Sequence, residues 1–140
     1  MDRITPENIT HLEPNQIFVF GSNKIGRHGK GAAKTAMKWG AKYGVGVGLQ
    51  GQTYGIPTKG HSMSFSLPLE TIEEHVQDFI GFAKAHPELT FLVTKIGCGL
   101  AGYDEKDIAP LFHGAVDVKN IWLPKSFWQK LICVKLERYG

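Results

Sequence analysis

The hydrophobic pattern of this chain changes period several times, and each change predicts a strand followed by a helix. Near-continuous apolar runs at Ile17–Phe20 and Thr90–Ile96 predict strands that are covered on both faces. A strand is also expected over Thr53–Pro57, ending at the proline, and a short one over Asn120–Leu123. These runs supply the sheet of the predicted fold.

Helices are predicted between the strands, where apolar residues recur at helical spacing. The first is expected from about Gly31 to Trp39, with Ala33 and Met37 facing inward. Alternating strands and helices predict an α/β fold with a largely parallel sheet, in which ligands bind where the strands end.

Three further helices complete the pattern. The clearest begins at a capping box formed by Thr71 and Glu74. Asp104 is expected to cap the next helix, with Asp107 three positions on, and Ser126–Leu136 is expected to form the last. The inward-facing residues are predicted to be Ile72, Val76, Phe79, Ile80 and Ala83 in the first of these, and Ile108, Leu111 and Phe112 in the second.

Composition limits the class of protein. A chain of 140 residues is expected to form a single domain, residues 1–140. No apolar run approaches the roughly 20 residues that a membrane span needs, and the first residues, MDRITPENIT, lack a signal-peptide pattern. We therefore expect a cytoplasmic protein without a membrane partner. The two cysteines, Cys98 and Cys133, predict neither a disulfide framework nor a metal site, and no cofactor is expected.

Glycines are concentrated in two loops that directly follow predicted strands. In the first, GSNKIGRHGKGAA runs from Gly21 into a helix, an arrangement that can hold a phosphate on main-chain N–H groups. In the second, IGCGLAGY runs from Ile96 to Tyr103. Because both loops follow strands, both should open onto one rim. The predicted ligand-binding residues are Gly21, Ser22, Asn23, Gly29, Gly31, Ala32, Ala33, Ile96, Gly97, Cys98, Gly99, Leu100, Ala101, Gly102 and Tyr103.

The first loop does not match the common nucleotide-binding motifs. Lys30 is followed by Gly31, whereas the P-loop requires a serine or threonine after its lysine, and no dinucleotide fingerprint is present. Nucleoside triphosphate hydrolysis is therefore disfavoured.

Three residues near these loops are candidate catalytic groups, each with a simpler alternative. Lys59 follows the strand that ends at Pro57, and it could pair with a phosphate, attack an anomeric carbon or remain solvated. His28 could contact a ligand or move protons, or it could be an exposed loop histidine. Asp104 could move protons or only cap its helix.

Three of the predicted ligand-binding residues also have two interpretations each. Asn23 could bind a ribose hydroxyl or stabilise its own turn. Cys98 could be a nucleophile or a small residue tolerated where the main chain approaches a ligand, which we favour. Tyr103 could stack on a sugar or base, or close its loop against the core.

Basic residues gather modestly around the first loop, although the net charge is only +3. They could create a local field for an anionic ligand or form a solvated helix face. A nucleic-acid partner is compatible with this charge but not favoured, because nucleic-acid binders usually show a denser basic stripe with interleaved aromatic residues. The residues are Lys24, Arg27, Lys30, Lys34 and Lys38.

At these motifs the chain resembles macro domains, which are ADP-ribose-binding α/β modules. Asn8-Ile9-Thr10 is similar to the Asp-Ile-Thr of the family's adenine end, with Asn8 in place of the acid. VFGSN resembles the strand that ends in the family's distal-ribose asparagine, here Asn23. GKGAAKTAMKWGAKYG and IGCGL resemble the branch that contains terminal ADP-ribose glycohydrolases. The resemblance implies a three-layer α/β/α domain with a mixed, mostly parallel sheet.

The same resemblance bears on catalysis. In the glycohydrolase branch a lysine equivalent to Lys59 attacks the ribose, assisted by an aspartate directly after IGCGL, where this chain has Ala101. The first expectation is therefore binding of ADP-ribose, or of an ADP-ribosylated macromolecule, without efficient turnover. The alternatives are an ADP-ribosyl hydrolase or ADP-ribose 1″-phosphate phosphatase with Lys59 as nucleophile, and a nucleic-acid-binding module.

Overall fold

A computed structural model describes residues 3–60 and 65–139 of the chain, and for residues 133–139 only the main chain. The strands are β1 Gln16–Asn23, β2 Gly48–Gln50, β3 Thr53–Lys59, β4 Thr90–Val93 and β5 Ile121–Trp122. The helices are α1 Gly31–Ala36, α2 Leu69–Ala85, α3 Glu105–Ile108 and α4 Lys125–Tyr139. Short 3₁₀ helices, Met37–Trp39 and Ala109–Ala115, follow α1 and α3.

The five strands form one sheet in the order β2-β3-β1-β4-β5. Strand β1 lies at its centre and pairs in parallel with both β3 and β4, so that Val19 lies between Tyr54 and Val93. Strand β5 is also parallel to β4, whereas the edge strand β2 is antiparallel to β3. The prediction of an α/β fold with a mixed, mostly parallel sheet is confirmed.

The sheet is covered on both faces, which explains its near-continuous apolar strands. Ile17 and Val19 of β1 pack into a core with α2, the segment around α3, and the start of α4. Phe18 and Phe20 point to the opposite face and pack against α1 in a second, smaller core. This arrangement is consistent with three layers, α/β/α. Because β1, β3 and β4 are parallel, their carboxyl ends meet at one edge of the sheet.

Several element boundaries differ from the predicted ones. Strand β3 continues past Pro57 to Lys59, because β1 contains an irregularity between Ser22 and Asn23 that restores pairing beyond the proline. Strand β4 ends at Val93 rather than Ile96. The antiparallel strand β2 was not predicted, since its segment is rich in glycine. After the proline the sequence predicts a loop over residues 58–67, of which residues 61–64 lie outside the described part of the chain.

Two details of the helices were predicted wrongly. Helix α2 begins at Leu69, and the N–H groups of both Thr71 and Ile72 bond to the carbonyl of Pro68, so Thr71 lies inside the helix and forms no capping box. Met37 is 44% exposed instead of buried, because the helix tightens to a 3₁₀ turn after Ala36. The predicted buried face of α2 and the Asp104–Asp107 capping box of α3 are confirmed.

Arg3 connects the start of the described chain to its second half. Its guanidinium donates hydrogen bonds of 2.7–3.0 Å to main-chain carbonyls and lies 5.0 Å from the centroid of the Trp128 ring. Those carbonyls belong to Ala115, Val116, Val118 and Ile121. The planar, charged guanidinium thus provides hydrogen-bond donors for the main-chain carbonyls at and just beyond the end of the 3₁₀ helix that follows α3.

Replacing Arg3 should therefore destabilise the fold more than most surface substitutions. We expect Arg3→Ala to lower the free energy of unfolding by about 2–4 kcal/mol, because several charge-assisted hydrogen bonds are lost. Lys106→Ala is the matched control, since Lys106 makes only an exposed pair with Asp104 at 3.9 Å. The control should cost under about 0.5 kcal/mol. Urea denaturation measures both, and equal midpoints for the two variants would contradict the role given to Arg3.

Candidate functional site

The two glycine-rich loops line one cavity of about 650 Å³ at the carboxyl ends of β1, β3 and β4. One wall comes from the end of β1 and the start of α1, and the other from the loop after β4. The predicted residues that line it are Gly21, Ser22, Asn23, Gly29, Gly31, Ala32, Ala33, Lys59, Ile96, Gly97, Gly99, Leu100 and Ala101. The predicted residues outside the lining are His28, Cys98, Gly102, Tyr103 and Asp104.

The walls can approach each other closely because they lack side chains. A Cβ atom at Gly21 would lie 3.3 Å from the main-chain nitrogen of Gly97. Gly97 itself has a φ of +73°, and a Cβ there would lie 2.8 Å from Ile108 Cδ1. Glycine is therefore required at Gly97 by both conformation and space.

Unpaired main-chain donors face each other across this site. The N–H groups of Gly31, Ala32 and Ala33 open helix α1, and Lys30 before them provides no side-chain cap. On the other wall are the N–H groups of Gly99, Leu100 and Ala101. Within the described part of the chain, none of these N–H groups donates a hydrogen bond. Such unpaired donors in a concave site are typical of anion binding.

The side chains that line the cavity add positive charge. Arg27, Lys30, Lys59 and Lys95 contribute to its lining, and among the described lining residues there is no aspartate or glutamate. Lys95 is partly neutralised by an ion pair with Glu105 at 3.2 Å. The cavity therefore combines main-chain donors with cationic side chains, an electrostatic environment that favours a phosphate group.

The side-chain amide of Asn23 stabilises its own turn, which is one of the two roles expected from the sequence. Its Nδ2 donates to the carbonyl of Arg27, and its Oδ1 accepts from the N–H of Arg27, both at 2.8 Å. The residue is 4% exposed, although it contributes to the cavity lining. The side chain thus fixes the loop from which Arg27 projects.

His28 is not an exposed loop histidine, as the simpler interpretation of the sequence had it. The ring is 1% exposed and packs edge-on against Phe20 and Tyr43. Its Nε2 donates to the carbonyl of Val45 at 2.9 Å, and its Nδ1 has no hydrogen-bond partner among the described residues. The ring lies behind the cavity lining, where it cannot reach a ligand, so a catalytic role for His28 has no geometric support.

Cys98 faces the core instead of the cavity. Burial, and next the negative charge of Glu105, raise the pKa of its thiol to about 11. A nucleophilic cysteine requires a lowered pKa. The favoured interpretation of Cys98, as a small residue within a tightly turned loop, agrees with this environment.

Tyr103 and Asp104 hold the second loop in place. The hydroxyl of Tyr103 donates to the carbonyl of Leu67 at 2.5 Å, and its ring packs against the larger core. The carboxylate of Asp104 caps helix α3 and is exposed. Neither residue lines the cavity, so the structure gives Tyr103 its loop-closing role and Asp104 its capping role.

A second cavity of about 690 Å³ adjoins the first. Ala32, Thr94 and Lys95 line both cavities, so the two share one edge. The second cavity includes Asn8 and Ile9 of the amino-terminal segment. Its other lining residues are Thr5, Pro6, Glu7, Phe18, Thr35, Pro124, Lys125, Ser126 and Gln129.

Sequence reasoning missed part of the lining. Arg27 and Lys30 entered only as members of a basic field, and the missed residues are Tyr43, Thr58, Thr94 and Lys95. One available signal was the complete absence of aspartate and glutamate between residues 14 and 69. No sequence pattern indicated that Tyr43 lines the cavity, because it reaches the cavity only through the packing of residues 43–46 against the first loop.

Two further searches of the described residues gave negative results. Within residues 3–60 and 65–139, no three histidine, cysteine or acidic side chains come together as a metal site. None of the helices in these ranges is long and apolar enough to cross a membrane.

Comparison with known proteins supports the fold alone. No protein-family model matches the chain, and no curated protein matches it significantly. Among solved structures, the chain is similar to a protein of unknown function from Bacteroides thetaiotaomicron, with a TM-score of 0.60 and 15% sequence identity. The match covers 82% of this chain and 88% of that one.

The buried thiol gives a testable chemical property. In a Cys133→Ser background, Cys98 should react with iodoacetamide at neutral pH at least about tenfold more slowly than an unfolded cysteine of ordinary pKa, near 8.5. Because the thiolate is the reactive form, the rate should rise with pH up to about 11. Mass spectrometry follows the alkylation, and the same protein in urea is the control. Fast labelling of the folded protein at pH 7 would contradict the assigned environment.

Proposed function

We propose that this protein binds ADP-ribose or a close derivative across the two adjoining cavities. The observation that carries the proposal is the set of unpaired N–H groups on opposing walls of a cavity whose charged lining is entirely cationic. The diphosphate would lie between these walls. The identity of the ligand comes from the resemblance to macro domains, and the geometry adds support for its anionic diphosphate.

The diphosphate is the part of the ligand with the strongest support. Gly31 and Ala32 present N–H groups from one wall, and Gly99 and Leu100 from the other. A hydrogen bond to a charged acceptor contributes about 1.5–3 kcal/mol. A bridging diphosphate could accept from both walls at once, which a single phosphate could do less completely.

The adenosine half fits the second cavity. Ala32 at the junction is exposed and small, so a ligand can pass from one cavity to the other over it. Ile9 and Phe18 provide apolar surface for a base, and the amide of Asn8 can both donate and accept hydrogen bonds. The opposite end of the first cavity, near Asn23 and Lys59, would then hold the distal ribose.

Binding is favoured over turnover because the described residues that line the cavity include no carboxylate. Ala101 occupies the position where the resemblance leads us to expect a catalytic aspartate. Asp104, the nearest candidate in the sequence, is used as a helix cap and lies outside the lining. Glycosidic cleavage requires proton transfer to the leaving group, for which a carboxylic acid or histidine is the usual donor.

Isothermal titration calorimetry with ADP-ribose tests the proposal directly. We expect saturable heat with one site per chain, and weaker binding as the salt concentration rises, because surface cations are screened. AMP should bind more weakly, because it lacks the diphosphate bridge. Folded protein that gives no heat with millimolar ADP-ribose would overturn the proposal.

Ala32→Asp provides a sharper test with its own control. Aspartate in the first turn of a helix favours α1, but its charge would face the diphosphate. We expect the affinity for ADP-ribose to fall by about 10–100-fold, since like charges in contact cost several kcal/mol. Ala32→Asn has nearly the same shape without the charge and should lose much less. Equal losses for both variants would indicate steric exclusion instead of an anion at this position.

The position of Lys59 favours a second candidate function, ADP-ribosyl hydrolysis. In that reaction the neutral amine would attack the anomeric carbon and the bond to the substituent would break, with the proton lost from the amine passing to the leaving group. Water would then cleave the bond to the lysine and release ADP-ribose. Incubation with an ADP-ribosylated substrate and Lys59→Ala decides it by mass spectrometry. Release that Lys59→Ala abolishes would establish the lysine mechanism, whereas unchanged release would eliminate it.

A further inference from the structure

Arg27 is an exposed residue of the cavity lining that is held by contacts of both its main chain and its side chain. Its main-chain N–H and carbonyl are both bonded to the side chain of Asn23. Its Nε donates to the hydroxyl of Tyr43 at 3.2 Å, and both side chains line the first cavity. The guanidinium is therefore oriented at the cavity mouth before any ligand arrives.

The loop that carries Arg27 is braced from behind. The N–H of Gly44 donates to the carbonyl of Gly26 at 2.8 Å, and a Cβ at Gly26 would lie 2.2 Å from the nitrogen of Val45. The buried ring of His28 adds a hydrogen bond to Val45 and an edge contact with Tyr43. Residues 23–29 and 43–46 thus form one unit that presents Arg27 and Tyr43 together.

The charge of Arg27 is not neutralised by a neighbour. No ion pair to Arg27 is formed within residues 3–60 and 65–132, whose side chains the structure describes. Lys59 pairs with Asn23, the residue that bonds to Arg27, whereas Ala32, Thr94 and Lys95 are shared with the second cavity. A group attached to the ligand here would therefore meet a positive potential and a planar aromatic ring.

We infer that Arg27, held by Asn23 and Tyr43, selects ligands by the charge of the group at the distal end. Anionic substituents are preferred, uncharged ones are accepted, and cationic ones such as an oxidised nicotinamide ring are rejected. The orientation rests on the proposed function, in which the adenosine half occupies the second cavity. Asn23 acts as a positioning residue for Arg27.

NAD⁺ and NADH form a matched pair of probes, because their nicotinamide rings differ by one positive charge and little in shape. We expect the wild-type protein to bind NADH about tenfold more tightly than NAD⁺, and ADP-ribose 1″-phosphate about tenfold more tightly than ADP-ribose, as one charge-assisted contact allows. Calorimetry gives both ratios. If the bulk of nicotinamide prevents both dinucleotides from binding, ADP-ribose and ADP-ribose 1″-phosphate still test the preference for an anionic group.

Arg27→Gln should reduce each measured ratio by at least about threefold, beyond any change in the affinity for ADP-ribose itself. Arg27→Lys should retain most of the selectivity, and Tyr43→Phe, which removes only the hydroxyl, should give an intermediate loss. Lys38→Gln is the control, because Lys38 is exposed and lies outside the cavity lining. Thermal melts establish that each variant is folded.

The outcomes separate this inference from the proposed function. Wild-type protein that binds ADP-ribose but shows equal affinities within each ligand pair would overturn the role of Arg27 and leave the proposed function standing. The same holds if Arg27→Gln and Lys38→Gln change the ratios equally. Wild-type protein that binds none of the ligands would overturn the proposed function and, with it, this inference.

Discussion

The contact on which the rest of the structure depends is main chain packed against main chain around the carboxyl end of β1. A Cβ at Gly46 would lie 1.9 Å from the carbonyl oxygen of Asn23, and Gly21 similarly approaches Gly97. Three separate segments can meet there only because these positions lack side chains. The result is a cavity whose walls are backbone, so its hydrogen-bond donors are fixed by the fold itself rather than by flexible side chains. Strand β1 makes this possible, because it is paired on both edges and covered on both faces.

Much of the architecture could be predicted because its signals are local. Near-continuous apolar strands alternating with amphipathic helices are sufficient to indicate a parallel sheet covered on both sides. The failures occur where tertiary packing overrides local preference. Pro57 did not end β3, since an irregularity in the neighbouring strand accommodated it. Strand β2 is glycine-rich and pairs only through its partner β3, so no local pattern revealed it.

The candidate site, like the fold, could be predicted only in part from the sequence. Glycines after strands could be identified from the sequence, and the structure brings most of them to one cavity. Side-chain roles were less accessible: the turn-stabilising role of Asn23 was one of two interpretations, and the partner of His28 lies 17 residues along the chain. Asn23 bonds to Arg27, and His28 bonds to Val45. The contribution of residues 43–46 could be known only once the fold had brought them against the first loop.

The uneven distribution of charge has a kinetic consequence. All 13 acidic residues lie outside residues 14–69. This part of the chain supplies one wall of the cavity and also Lys59 and Tyr43. The described lining of the cavity carries cationic side chains without acidic ones, and a concave surface concentrates the field lines at this cationic end. An approaching anion is guided toward that end over roughly a Debye length, about 8 Å at physiological ionic strength. Electrostatic attraction of an anion thus begins before any hydrogen bond forms.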